Sequence, residues 1–173
     1  MSYRDTSYAK LEQYIKAGDW SAADYQTERI ISSELRKEDD VWLKSDKPLS
    51  IPCEPLKIVN ELWVEHSDGR FGFSVQKEIY RECGGILDGY VHSEALSRLC
   101  ETAGWQTGQR SMPPSYNMPA SDTPAPRGHL PYSWAISWLS DDYIDDYRAS
   151  LYKYMTCVVH RERISTLLSH PSI

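Results

Sequence analysis

The sequence predicts an all-α fold: a compact helical domain with two long loops that carry binding groups. Three observations lead there. Apolar residues recur at three- and four-residue spacing in successive stretches. Glycines and turn residues stand where those stretches end. No run alternates apolar and polar residues for long enough to specify a strand. With 173 residues, 40% of them hydrophobic, the chain can bury one core, and residues 1–173 read as a single domain.

The first stretch is Tyr8 to Ala17, where Tyr8, Leu11, Tyr14 and Ile15 share a face. Gly18 follows as a helix-ending glycine, and Asp19 is placed to cap a second helix. In that helix Trp20, Ala23, Thr27, Ile30, Ile31 and Leu35 form one stripe, so the pair makes a tight helical hairpin. Residues 36–52 break the pattern with charges and two prolines around Val41, Trp42, Leu43, Leu49 and Ile51. A loop carrying such bulky apolar groups either tucks onto the body or forms a binding surface. Pro55 suits the first turn of a third helix, with Leu56, Val59, Leu62 and Trp63 inward. Ser67-Asp68-Gly69 is a turn, and Ser74 is placed to cap a helix over 75–82. Gly84-Gly85 ends it, Ser93 caps a short helix to about Glu101, and Gly104 ends that one. The span 105–131 holds six prolines, a density no helix survives. It also holds Trp105, Met112, Tyr116, Met118 and Leu130, which a plain linker does not need, so it reads as a binding flap. From Ser133 to Leu168 helical spacing returns, with acids at the start and Arg161 and Arg163 toward the end, as the helix dipole favours.

Composition narrows the function. Twenty-five acidic against 19 basic side chains give a net charge of −6, the wrong sign for wrapping nucleic acid. No apolar run reaches the ~20 residues that span a bilayer, and the start of the sequence lacks a secretory apolar segment, so a cytoplasmic protein is expected. Cys53, Cys83, Cys100 and Cys157 have no metal-site spacing and read as reduced thiols. Asp141, Asp142, Asp145 and Asp146 read as a solvated helix start rather than an acid–base pair. His129 has no orienting partner that sequence can assign. Phosphate-loop, nucleophile-elbow and zinc-protease motifs are all missing, so the residues describe a helical binding protein and not an enzyme.

Four segments together carry a family likeness. They are Leu11–Ile31 with Gly-Asp-Trp-Ser-Ala-Ala-Asp-Tyr-Gln-Thr, Ile51–Gln76 with Gly-Arg-Phe-Gly-Phe-Ser-Val-Gln, Ala103-Gly104-Trp105, and Ala125-Pro-Arg-Gly-His-Leu-Pro131. In this order, over about residues 8–158, the chain resembles the core domain of the genomes-uncoupled-four family, without the N-terminal helical extension of many members. The resemblance implies a helical domain shaped like a cupped hand. It implies a non-catalytic protein that binds protoporphyrin IX, magnesium-protoporphyrin IX or a linear bilin. The implied partner is the large subunit of magnesium chelatase, whose activity in chlorophyll synthesis the family stimulates. A bilin sensor without a chelatase partner and a ligand-free protein–protein interaction module are the alternatives.

The ligand would lie between the two long loops. Val41, Leu43 and Ile51 supply one apolar wall; Trp105, Tyr116 and Met118 supply the other. Arg127 matches the family's basic position and can hold a propionate bidentately, with Arg110 as a second rim cation and His129 beside it. Two positions depart from the family pattern. Pro124 stands where many members carry Asn near the metal, and Gln106 follows Gly-Trp in place of a basic residue. These departures imply no strong preference for the magnesium complex.

Overall fold

The computed structural model describes residues 3–38, 52–107, 110–111, 125–133 and 164–173. Five helices carry the described fold: α1 (Tyr3–Lys16), α2 (Trp20–Glu38), α3 (Cys53–His66), α4 (Phe73–Glu82) and α5 (Ser93–Thr102). Two two-residue strands, β1 (Gln106–Thr107) and β2 (Arg110–Ser111), form an antiparallel ladder after α5. The protein is all-α, as expected, with that ladder as a local addition. Residues 164–168 are helical, where the last predicted helix ends; the rest of that helix lies outside the described residues.

α1 and α2 form the predicted hairpin. Gly18 takes a left-handed φ of 69°, and Asp19 accepts a hydrogen bond from the Ala22 amide at 3.1 Å, acting as the N-cap. Four residues of the α2 stripe, Ala23, Thr27, Ile30 and Ile31, are at or below 4% exposure, and Trp20 is partly buried. α1 packs on both α2 and α3, and α4 packs on α5. Trp63 of α3 is fully buried against α2 and Phe71. Its indole N–H donates to the Thr27 hydroxyl at 2.8 Å, and its ring meets Trp20 and Phe71 at 6.2 and 6.3 Å.

Ser74 does not cap α4, as sequence spacing suggested. The helix begins two residues earlier than expected, at Phe73, with Gly72 at the cap position and no side-chain cap of its own. The Ser74 amide instead donates to Asn60 Oδ1 of α3 at 2.8 Å. A side chain from a neighbouring helix thus satisfies one of the orphan donors of the first turn. This requires close approach. Gly72 has φ 124°, and a Cβ there would sit 2.8 Å from Val64 Cγ2, so only glycine fits. Ser93 likewise carries no cap; α5 starts there with His92 before it and no side-chain cap bond.

Candidate functional site: the docked loop 125–133

The chemistry-bearing residues gather where two sequence motifs meet. The turn Arg70–Gly72 and the loop 125–133 lie against each other, joined by backbone bonds in both directions. Gly72 N–H donates to Leu130 O at 3.0 Å, and Gly128 N–H donates to Arg70 O at 2.8 Å. Arg70 Nη2 adds a bond to Ala125 O at 2.5 Å. From α4, the buried Gln76 amide donates to Gly128 O at 3.1 Å and to Pro131 O at 2.9 Å. An apolar side chain at 76 would leave those two carbonyls without their donor. Gly128 is required for contact as well as for turning: φ is 76°, and a Cβ would fall 2.6 Å from Ile79 Cδ1.

The far end of the loop is tied to α2. Asp24 is fully buried and accepts from Tyr132 N–H at 2.8 Å, Ser133 N–H at 3.0 Å and the Ser133 hydroxyl at 2.8 Å. A buried carboxylate is costly unless it is bonded in this way. Asp24 falls on the apolar stripe, four residues after Trp20 and three before Thr27. That placement is the sequence sign of its role, and reading the stripe for apolar residues alone passes over it. Gln76 is hidden the same way, three residues before Ile79 on the inner face of α4.

The structure brings together three of the predicted site residues, in two kinds of place. Trp105 and His129 are inside, at 3% and 6% exposure. Trp105 Nε1 donates to His129 O at 2.8 Å, and His129 Nδ1 lies 2.7 Å from Ala103 O, a geometry that puts the proton on Nδ1. The Trp105 ring also meets Tyr132 at 5.3 Å. Both polar handles therefore go to backbone carbonyls, and both side chains hold the loop. Arg127 points outward, 44% exposed, and pairs with Glu78; Glu82 lies 3.5 Å from its Nη1. Glu78 and Glu82 are successive turns of α4, and sequence spacing gave no reason to connect them with Arg127. Arg110 sits on β2, and its backbone pairs with Thr107. Val41, Leu43, Ile51, Tyr116, Met118 and Pro124 lie outside the described residues.

Among the described residues of this loop, Arg127 is an exposed cation, whereas Trp105 and His129 are buried. A guanidinium has five N–H donors, so Arg127 retains donors beyond those used by two carboxylates. No group of three or more His, Cys, Asp or Glu is placed to hold a metal among the described residues, and no described helix is long and apolar enough to cross a membrane.

Comparison with known proteins shows the family and the fold. A family model described as GUN4-like matches residues 1–146. A protein of Arabidopsis thaliana named "Tetrapyrrole-binding protein, chloroplastic" is 30% identical over 135 residues, covering 76% of this chain and 50% of that protein. A Ycf53-like protein of Synechocystis is 29% identical over 135 residues, covering 75% of this chain and 52% of that protein. The chain thus spans about half the length of the curated relatives it matches. The solved structure described as ligand-free Arabidopsis thaliana GUN4 superposes with a TM-score of 0.60 at 22% identity, covering 99% of this chain and 97% of that one.

Proposed function

This chain belongs to the GUN4-like family, and from that membership together with the outward-facing Arg127 we propose that it is a tetrapyrrole-binding protein without catalytic activity of its own. The ligand is a protoporphyrin, its magnesium complex or a linear bilin. All three present carboxylates at the edge of an extended apolar system. Arg127 meets a ligand carboxylate at the rim, and the loop that carries it is held by Trp105, His129, Gln76 and Asp24. Val41, Leu43, Ile51, Tyr116 and Met118 supply apolar walls, and Arg110 a second cation. In the cell the bound protein acts on magnesium chelatase through the large subunit, in a cytoplasmic or equivalent reducing compartment that suits Cys53, Cys83 and Cys100, none of which forms a disulfide.

The single observation that carries this reading is the exposed guanidinium on a loop otherwise fixed by buried polar bonds. A cation so placed is preorganised, so little ordering cost attends binding. Absorbance titration of the protein with protoporphyrin IX, magnesium-protoporphyrin IX and a bilin tests it. Saturable band shifts with at least one ligand are expected. No shift with any of the three would leave the interaction-module reading in its place.

Pro124 bears on the choice among them. A proline side chain offers neither donor nor acceptor to a magnesium ion or its water, and magnesium prefers oxygen ligands. The metal complex therefore has no strong advantage over metal-free protoporphyrin, and Pro124→Asn shifts selectivity toward it. A wild-type preference for the magnesium complex of tenfold or more, about 1.4 kcal/mol, would count against this.

A further inference from the structure

On the hairpin of α1 and α2 lies a cleft of about 170 Å³, lined by Thr6, Ser7, Lys10, Gln26, Arg29, Ile30 and Ser33. None of these residues belongs to the loop site. In a chain of net charge −6, this lining holds two cations and no acid. Lys10 lies 5.7 Å over the Tyr14 ring, and neither Lys10 nor Arg29 pairs with a carboxylate among the described residues. Elsewhere on the described surface, Lys16, Lys57, Arg98 and Arg127 each have a carboxylate partner, and Arg70 and Lys77 bond backbone carbonyls. The cations of the cleft come from two different helices, so the hairpin packing fixes their separation. Between them stand hydroxyls and a buried amide. Gln26 donates to Ser7 O at 3.2 Å and Ser33 donates to Ile30 O at 2.8 Å, which orders that wall.

We propose that this cleft binds a small tetrahedral oxyanion of the phosphate class. Charge, donors and size all point there. Arg29 offers a planar fork of donors and Lys10 a point charge, the two common ways of holding phosphate oxygens. At ~30 Å³ per water, the volume holds roughly five or six waters, which is room for one oxyanion and part of its hydration. The lining has one apolar side chain, Ile30, which is buried, so a soluble anion suits it better than a lipid surface.

The test is a heteronuclear NMR titration of the whole chain with inorganic phosphate, at constant ionic strength set with sodium chloride. Saturable shifts of the Ser7, Lys10, Arg29 and Ser33 amides are expected. Arg29→Gln and Lys10→Gln should each raise the apparent Kd about tenfold or more, whereas Arg127→Ala should leave it unchanged. Circular dichroism checks that the exposed substitutions preserve the hairpin. Shifts that follow chloride equally, that persist in the Arg29→Gln/Lys10→Gln pair, or that vanish in Arg127→Ala would overturn the proposal. So would binding to phosphatidate-containing vesicles with no response to inorganic phosphate, which would assign the cleft to a membrane surface.

Discussion

Arg127 shows how one side chain can be held ready by groups that compete for it. Glu78 and Glu82 approach its guanidinium from α4, and all three side chains are substantially exposed. Exposed pairs of this kind contribute about 0–1 kcal/mol, so they orient the cation without trapping it. Arg127→Ala should therefore cost about 1.5–3 kcal/mol of tetrapyrrole binding, as for a hydrogen bond to a charged group, with thermal unfolding nearly unchanged. Isothermal titration beside a melting curve separates the two readouts; a variant that binds normally would move the ligand carboxylates elsewhere. The acids predict the opposite sign. Glu78→Gln/Glu82→Gln removes two negative charges from the approach path, and should tighten binding of a carboxylated porphyrin by a few-fold at low salt. That gain should fade as ionic strength rises and screening shortens the Debye length to ~8–10 Å. At this scale the sequence supplied the residue types but not their partners. Trp105 and His129 were legible as chemistry-bearing groups, yet their ring N–H donors end on backbone carbonyls 24 and 26 residues away in sequence, a pairing that only the fold creates.

The elements of this protein are joined by polar side chains on otherwise apolar faces. Asp24 on α2 and Gln76 on α4 each take the end of a loop that lies more than 50 residues downstream. Asp24→Ala should strand the Tyr132 and Ser133 amides, each at about 1–3 kcal/mol if left unpaired, and so lower unfolding stability by roughly 2–4 kcal/mol. Urea denaturation measures this directly, and a loss under 1 kcal/mol would mean that water replaces the carboxylate. Gly128→Ala should also destabilise, by steric conflict with Ile79 and by strain at positive φ. The helices themselves were legible because period and punctuation agree: Gly18, Asp19 and Gly104 sit where local chemistry demands them. The start of α4 was not legible. Ser74 has good capping chemistry, but Asn60 reaches across from α3 and satisfies the amide that a local cap would have taken. The family likeness rested on Gly-Arg-Phe-Gly-Phe-Ser-Val-Gln and Ala-Pro-Arg-Gly-His-Leu-Pro, and these two motifs prove to be the two faces of one contact. The glycines serve neighbouring helices: Val64 and Asn60 of α3 lie against Gly72, and Ile79 of α4 lies against Gly128.

Over the whole molecule, α4 is the helix on which the layers converge. One face meets the docked loop, and another is covered by residues 164–173. Lys77 Nζ donates to His170 O at 2.8 Å and to Ile173 O at 2.7 Å, and Ser169 Oγ accepts from Gly89 N–H at 3.0 Å. Beneath that cover Tyr80 is fully buried, and its hydroxyl has no hydrogen-bond partner among the described residues. Burial pushes the Tyr80 phenol above its ordinary value of 10.0, and burial, then the nearby Arg81, pulls Lys77 below its ordinary 10.5. The two shifts oppose each other in alkali. For Lys77 the unfolded chain keeps its proton to higher pH than the folded one, so stability rises between the lowered folded value and 10.5. For Tyr80 the unfolded chain loses its proton first, so stability is whole below 10.0 and falls as pH climbs toward the raised folded value. Wild-type denaturation midpoints should therefore rise slightly as pH approaches about 10 and level off or fall beyond it. Tyr80→Phe removes the ionisable group and a buried hydroxyl that lacks a partner. It should leave neutral-pH stability unchanged or slightly higher, and should flatten the alkaline drop. Lys77→Met should remove the compensating rise and expose the drop at lower pH. Urea midpoints for the three proteins between pH 8 and 11 decide the matter. An alkaline loss in Tyr80→Phe as steep as in the wild type would show that the phenol under the 164–173 cover is not the group that titrates.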